Sequence, residues 1–152
     1  MKAAISMMIL FALLISTASG QVVTADKVPL PVKQALVSRF PDAKVVEWKI
    51  AGDKSPEAEF TLKGVSITVK FDQAGKWLET ETQIPSSQVP KAVLDALTAK
   101  LKGYKIVETQ DLRRHNDPQI IYEIHLDNNK EIVKALLYAD GTILSQSVKA
   151  KK

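Results

Sequence analysis

Residues 28–49 read VPLPVKQALVSRFPDAKVVEWK, and residues 89–110 read VPKAVLDALTAKLKGYKIVETQ. With Pro29 laid on Pro90, an offset of 61, Val28 meets Val89, Val32 meets Val93 and Ala35-Leu36 meets Ala96-Leu97. Phe40 meets Leu101, and Lys44-Val45-Val46-Glu47 meets Lys105-Ile106-Val107-Glu108. Matches this dense without a gap argue for internal duplication. Further along, the offset drifts: Pro56 falls on Pro118, Phe60 on Tyr122 and Gly75 on Gly141. Insertions in connecting loops produce such drift.

Each copy opens with a helix. Val32, Leu36 and Phe40 recur every fourth residue with Ala35 beside them, and Val93, Ala96, Leu97 and Leu101 do the same. That spacing lines one helical face with apolar groups. Pro29 and Pro90 suit a helix start, where a missing N–H costs little. Pro41 ends the first helix and Gly103 the second.

Strands follow. Ala58, Phe60 and Leu62 alternate with Glu57, Glu59, Thr61 and Lys63, and Val65, Ile67, Val69 and Phe71 alternate with Ser66, Thr68 and Lys70. Period two with one polar face predicts a half-solvated antiparallel sheet. Lys63-Gly64 and the Asp72–Gly75 stretch suit hairpin turns, as do Asp127–Lys130 and Asp140-Gly141 in the second copy. With 44–50 before and 76–82 after, each copy becomes a helix followed by four strands. The expectation is an α+β fold of two tandem α-β-β-β-β units, 21–84 and 85–152, each sheet burying one face under its own helix. Neither half, at about 60 residues, buries a large core alone.

The N-terminal stretch reads as a leader. Lys2 is followed by a nearly unbroken apolar run over 3–15, and Ala18-Ser19-Gly20 supplies small residues before Gln21. This predicts a cleaved secretory signal peptide over residues 1–20, the run being shorter than the ~20 residues a membrane span needs. No later segment is apolar enough to span. The expected location is periplasmic or secreted. Export permits disulfides, yet the 152-residue chain has no Cys and must hold by its core. The formal charge of +4, or +3 without Lys2, is spread along the chain. With no basic stripe interleaved with aromatics, nucleic acid is not an expected partner.

In 40–49, FPDAKVVEWK, and 63–81, KGVSITVKFDQAGKWLETE, the chain resembles the PepSY-like family of exported bacterial proteins, also described as β-lactamase-inhibitor-like. The second copy departs from the pattern, with Thr109 in place of Trp48 and Ile143 in place of Trp77. The resemblance implies two tandem α-β-β-β-β units similar to the β-lactamase inhibitory protein. It implies a fold and a location more than a mechanism.

The residues carry little chemistry. The two histidines, His115 and His125, fall in a polar loop and a strand, without the convergence a metal pair needs. No Cys nucleophile, no Gly-x-Ser-x-Gly elbow and no phosphate loop occurs. Glu57, Glu59, Glu79 and Glu81 fall on one polar strand face, where Lys63 and Lys70 match them. The chain is expected to have no catalytic residues, metal or cofactor, and not to be an enzyme.

The outer strand faces differ between the copies. In the first they are polar apart from Trp77. In the second, Ile121, Ile132, Leu136, Tyr138 and Ile143 accompany His125 and charged residues. An exposed apolar patch marks an interaction surface, and aromatics ringed by charge anchor interfaces. Trp77, Ile121, His125, Ile132, Leu136, Tyr138 and Ile143 are therefore the expected partner-binding residues. The reading is an exported binding module acting by protein–protein contact, inhibition of an envelope or secreted enzyme being one form of it. The alternative is a self-assembling envelope protein that buries this apolar face in a homodimer.

Overall fold

The structure, a computed structural model, describes residues 20–44 and 46–151. The expected signal peptide lies outside the described residues apart from Gly20. Two ten-residue helices form where the periodicity predicts them: α1 (Leu30–Arg39) buries Val32 and Leu36, and α2 (Lys91–Lys100) buries Val93 and Leu97. Pro29 and Pro90 stand just before the helices, one position earlier than the first helical residue. Their carbonyls accept the N–H groups of Val32 and Lys33, and of Val93 and Leu94. A short 3-10 turn precedes each helix, at Ala25–Lys27 and Ser86–Gln88. Those turns bring Val28 and Val89 into the core.

The strands are β1 (Gln21–Val23), β2 (Val46–Ile50), β3 (Pro56–Leu62), β4 (Val65–Phe71), β5 (Trp77–Gln83), β6 (Lys105–Arg114), β7 (Asp117–Asp127), β8 (Glu131–Tyr138) and β9 (Ile143–Ala150). All nine pair antiparallel in chain order within one sheet. This corrects the expectation of two sheets. β5 pairs with β6 from Glu79↔Arg114 to Gln83↔Gln110, so the two sets of strands are continuous. β1, unforeseen in the sequence, adds an edge by pairing with β2.

Register puts both helices on one side of the sheet. The cross-strand row Ile67–Thr82–Asp111–Tyr122–Leu137 runs from the α1 core to the α2 core without changing face. Under α1 lie Trp48, Ala58, Phe60, Ile67, Val69 and Phe71. Under α2 lie Ile124, Leu126, Val133, Ala135 and Leu137. Thr109 stands where the first half has Trp48, and its hydroxyl donates to the Ile84 carbonyl at 2.6 Å, which satisfies a buried polar group. The opposite surface, the strand face, carries no helix among the described residues.

Candidate functional site

Alternation along each strand decides what reaches the strand face. In β7 the side chains of Ile121, Glu123 and His125 point there, while Tyr122, Ile124 and Leu126 go to the helix side. A bulge between Ile106 and Glu108 resets β6, so that Glu108 stands opposite His125. Three cross-strand rows result: Thr68–Glu81–Leu112–Ile121–Tyr138, Gln83–Gln110–Glu123–Leu136–Ser145 and Glu108–His125–Lys134–Ser147.

The third row and its neighbour form one polar cluster. His125 lies between two carboxylates, with Nδ1 3.1 Å from Glu108 Oε2 and Nε2 2.7 Å from Glu123 Oε1. Lys134 Nζ reaches the same Glu123 oxygen at 2.7 Å. Gln110 donates through Nε2 to Glu108 Oε1 at 3.0 Å. With an acceptor at each ring nitrogen, His125 fits the doubly protonated imidazolium. Burial lowers its pKa, but the hydrogen bonds to Glu108 and Glu123 outweigh that and raise it to about 9. Burial also pushes Glu123 upward, yet the His125 hydrogen bond and the Lys134 charge hold it below its ordinary value.

Glu81 behaves differently. It pairs in register with Leu112 rather than with a cation. Burial, and then the Glu123 carboxylate, push it up to about 8 against the pull of Lys134. That shift favours the protonated carboxyl near neutral pH. Elsewhere the face is laced by ion pairs. Arg114 Nε meets Glu79 at 2.6 Å, Lys70 meets Asp53 at 2.9 Å, and Lys49 bridges Glu47 and Glu59. Tyr138 donates its hydroxyl to Asp117 at 2.8 Å.

Of the seven residues expected at a partner surface, five share this face: Ile121, His125, Ile132, Leu136 and Tyr138. Trp77 and Ile143 do not. Trp77 packs against the α1 core, donates Nε1–H to Thr80 at 2.8 Å and takes the Arg39 guanidinium over its ring at 4.2 Å. Ile143 packs against the α2 core. The cause is the same in both: a bulge between Lys70 and Phe71, and another between Leu136 and Leu137, shifts the register by one residue. The exposed apolar patch is also corrected. Ile121 is 1% and Ile132 6% exposed, while Leu136 and Tyr138 remain half-buried. Sequence reasoning passed over Gln110, Leu112 and Arg114, although they share the parity of Glu108 in β6.

Residues 54–138 match the family described as "Putative beta-lactamase-inhibitor-like, PepSY-like". The chain belongs to this PepSY-like family. Among solved structures, a DUF2874 family protein from Bacteroides uniformis is 23% identical, with a TM-score of 0.70, covering 79% of this PepSY-like chain and 88% of its own. A protein from Bacteroides eggerthii, described as "putative periplasmic", is 22% identical at a TM-score of 0.71, covering 80% and 88%. A BLIP-like protein from Bacteroides fragilis is 23% identical at 0.66, covering 82% and 89%. These likenesses establish a shared α+β fold. No curated protein matches the chain. No helix among the described residues is long and apolar enough to cross a membrane.

Proposed function

We propose that this PepSY-like chain is an exported, non-catalytic binding module that grips a protein partner with its strand face. One observation carries the reading: a face free of both helices among the described residues holds Leu136 and Tyr138 half-buried beside side chains already fixed in ion pairs. A surface ordered beforehand loses little freedom when a partner docks, so more of the contact energy appears as affinity. Leu136 and Tyr138 supply apolar area, and the surrounding charges select the partner. The family description and the BLIP-like neighbour support protein contact as the mode; inhibition of an envelope or secreted enzyme is one form it takes. Export is supported by the apolar leader and by the neighbour described as periplasmic.

We also propose that 21–84 and 85–152 are two copies of one unit. A 3-10 turn, a helix and a bulge recur at matching places in each half. A homodimer through this face has less to recommend it, since Ile121 and Ile132 are already covered.

The test is capture from an envelope extract of the source cells on the immobilised chain, beside Leu136→Asp. A protein held by the native chain and lost by the folded variant is the expected result. Equal retention by both overturns the assignment of the face.

A further inference from the structure

The middle of the strand face contains acceptors with nothing to accept. Glu123 is 2% exposed, and among the described residues neither its Oε2 nor the Oε1 of the half-buried Gln110 has a hydrogen-bond partner. Gln110 and Glu123 are direct cross-strand partners, so their side chains are neighbours. Neither acceptor is idle for want of ordering. Glu123 Oε1 takes His125 and Lys134, and Gln110 Nε2 is spent on Glu108. Those contacts fix the other oxygen of each group in place. A buried acceptor left unpaired costs free energy and calls for an explanation. Glu81 completes the set: it pairs with Leu112, two residues along β6 from Gln110, and keeps part of its surface exposed on the strand face.

We propose, on the reading of this face as a protein-binding surface, that its centre receives an arginine side chain of the partner, the guanidinium donating to Glu123 Oε2, Gln110 Oε1 and the Glu81 carboxyl. A planar fork of five N–H groups suits acceptors on adjacent strands better than a point-like ammonium does. Charge supports it. Glu108 and Glu123 are balanced by His125 and Lys134, so one arriving positive charge needs one new negative one. Glu81, raised to about 8 among Glu123, Lys134, Glu79 and Glu57, supplies it by losing its proton. A metal ion is the poorer occupant: among the described residues no three acidic or histidine side chains converge as ligands.

The probe is the tripeptide amide acetyl-Gly-Arg-Gly, with citrulline and lysine counterparts, titrated into the folded chain at pH 7 by calorimetry in two buffers. Saturable binding of the arginine peptide with about one proton released is expected, with the citrulline peptide at least about tenfold weaker. Glu81→Gln swaps a neutral acid for a neutral amide, so it should fold, bind at least about tenfold more weakly and release no proton. Gln110→Met tests the second acceptor independently and should also weaken binding. Equal binding of the arginine and citrulline peptides, no binding at all, full affinity in both variants, or a lysine peptide that binds as tightly would overturn the inference. If capture depends on Leu136 but arginine does not bind, the binding-module reading stands and this one falls. Arginine binding with no captured protein gives the reverse.

Discussion

A side chain on Gly141 would begin 2.7 Å from the carbonyl oxygen of Ala92, in the first turn of α2. The first half repeats the relation: a side chain on Gly75 would begin 2.6 Å from the Pro31 carbonyl oxygen of α1. Both glycines have φ near +85° to +88°, so each combines a left-handed turn with close approach of a hairpin to a helix. This contact pins each helix to its own strands.

Gly103 separates the two effects. It has φ +85°, but a side chain there would meet nothing within 4 Å among the described residues. Gly103→Ala is expected to cost about 1 kcal/mol, and Gly75→Ala or Gly141→Ala about 3 kcal/mol, since the helix must also move. Urea denaturation of the three variants checks this. Equal losses would mean that the close approach contributes nothing.

Leu112 lies on the strand face yet is 1% exposed. Leu112→Ala should therefore behave as a core truncation, losing about 2–4 kcal/mol, whereas the exposed Leu30 of α1 should tolerate Ala within about 0.5 kcal/mol. Similar small losses at both positions would mean that the strand face is open to water at its centre.

Two groups make stability fall on the alkaline side. His125 titrates near 9 in the fold against an ordinary 6.5, so its contribution is complete below about 6.5 and is lost as pH rises through 9. Glu81 keeps a proton up to about 8 against an ordinary 4.5, so the folded state loses ground as pH climbs from 4.5 to 8. Melting at pH 9.5 should come at least about 5 °C below melting at pH 5.5. Glu81→Gln should flatten the lower part of that slope and His125→Gln the upper part. A melting temperature that is level or rises over this range contradicts the assigned cluster.

Arg39 stacks on Trp77 on the helix side. Arg39→Ala should cost about 0.5–1 kcal/mol and shift the tryptophan emission, with partner capture unchanged. Loss of capture would return Trp77 to the binding surface.

Trp77 also marks where the sequence ceases to be legible. Helices α1 and α2 and the strands β3 and β4 follow from apolar periodicity, because period and burial share a cause. The side reached by Trp77 and Ile143 does not. Each follows a glycine turn and stands beside a bulge that adds Leu78 or Leu144 to its strand, and one added residue inverts the parity. Exposure was likewise hidden: alternation assigns Ile121 and Ile132 to a face but cannot say that the face covers them. The joining of β5 to β6 was also beyond reach, since both strands are polar on the side where they meet the helices' junction, at Thr80, Thr82, Asp111 and Arg113. The His125 cluster could be read only in part. Glu108, Glu123 and Lys134 are visible as same-face residues, whereas the pairing that charges His125 depends on the bulge before Glu108.

The most direct test of the strand face as a binding surface compares two variants that differ only in side. Leu136→Asp alters the strand face, and Val37→Asp alters the exposed side of α1, where Val37 is 64% exposed. Both are checked for native melting and then used to capture partners from envelope extract. Val37→Asp is expected to retain what the native chain retains and Leu136→Asp to lose it. Retention by Leu136→Asp with loss by Val37→Asp would contradict it and move the binding surface to the helices.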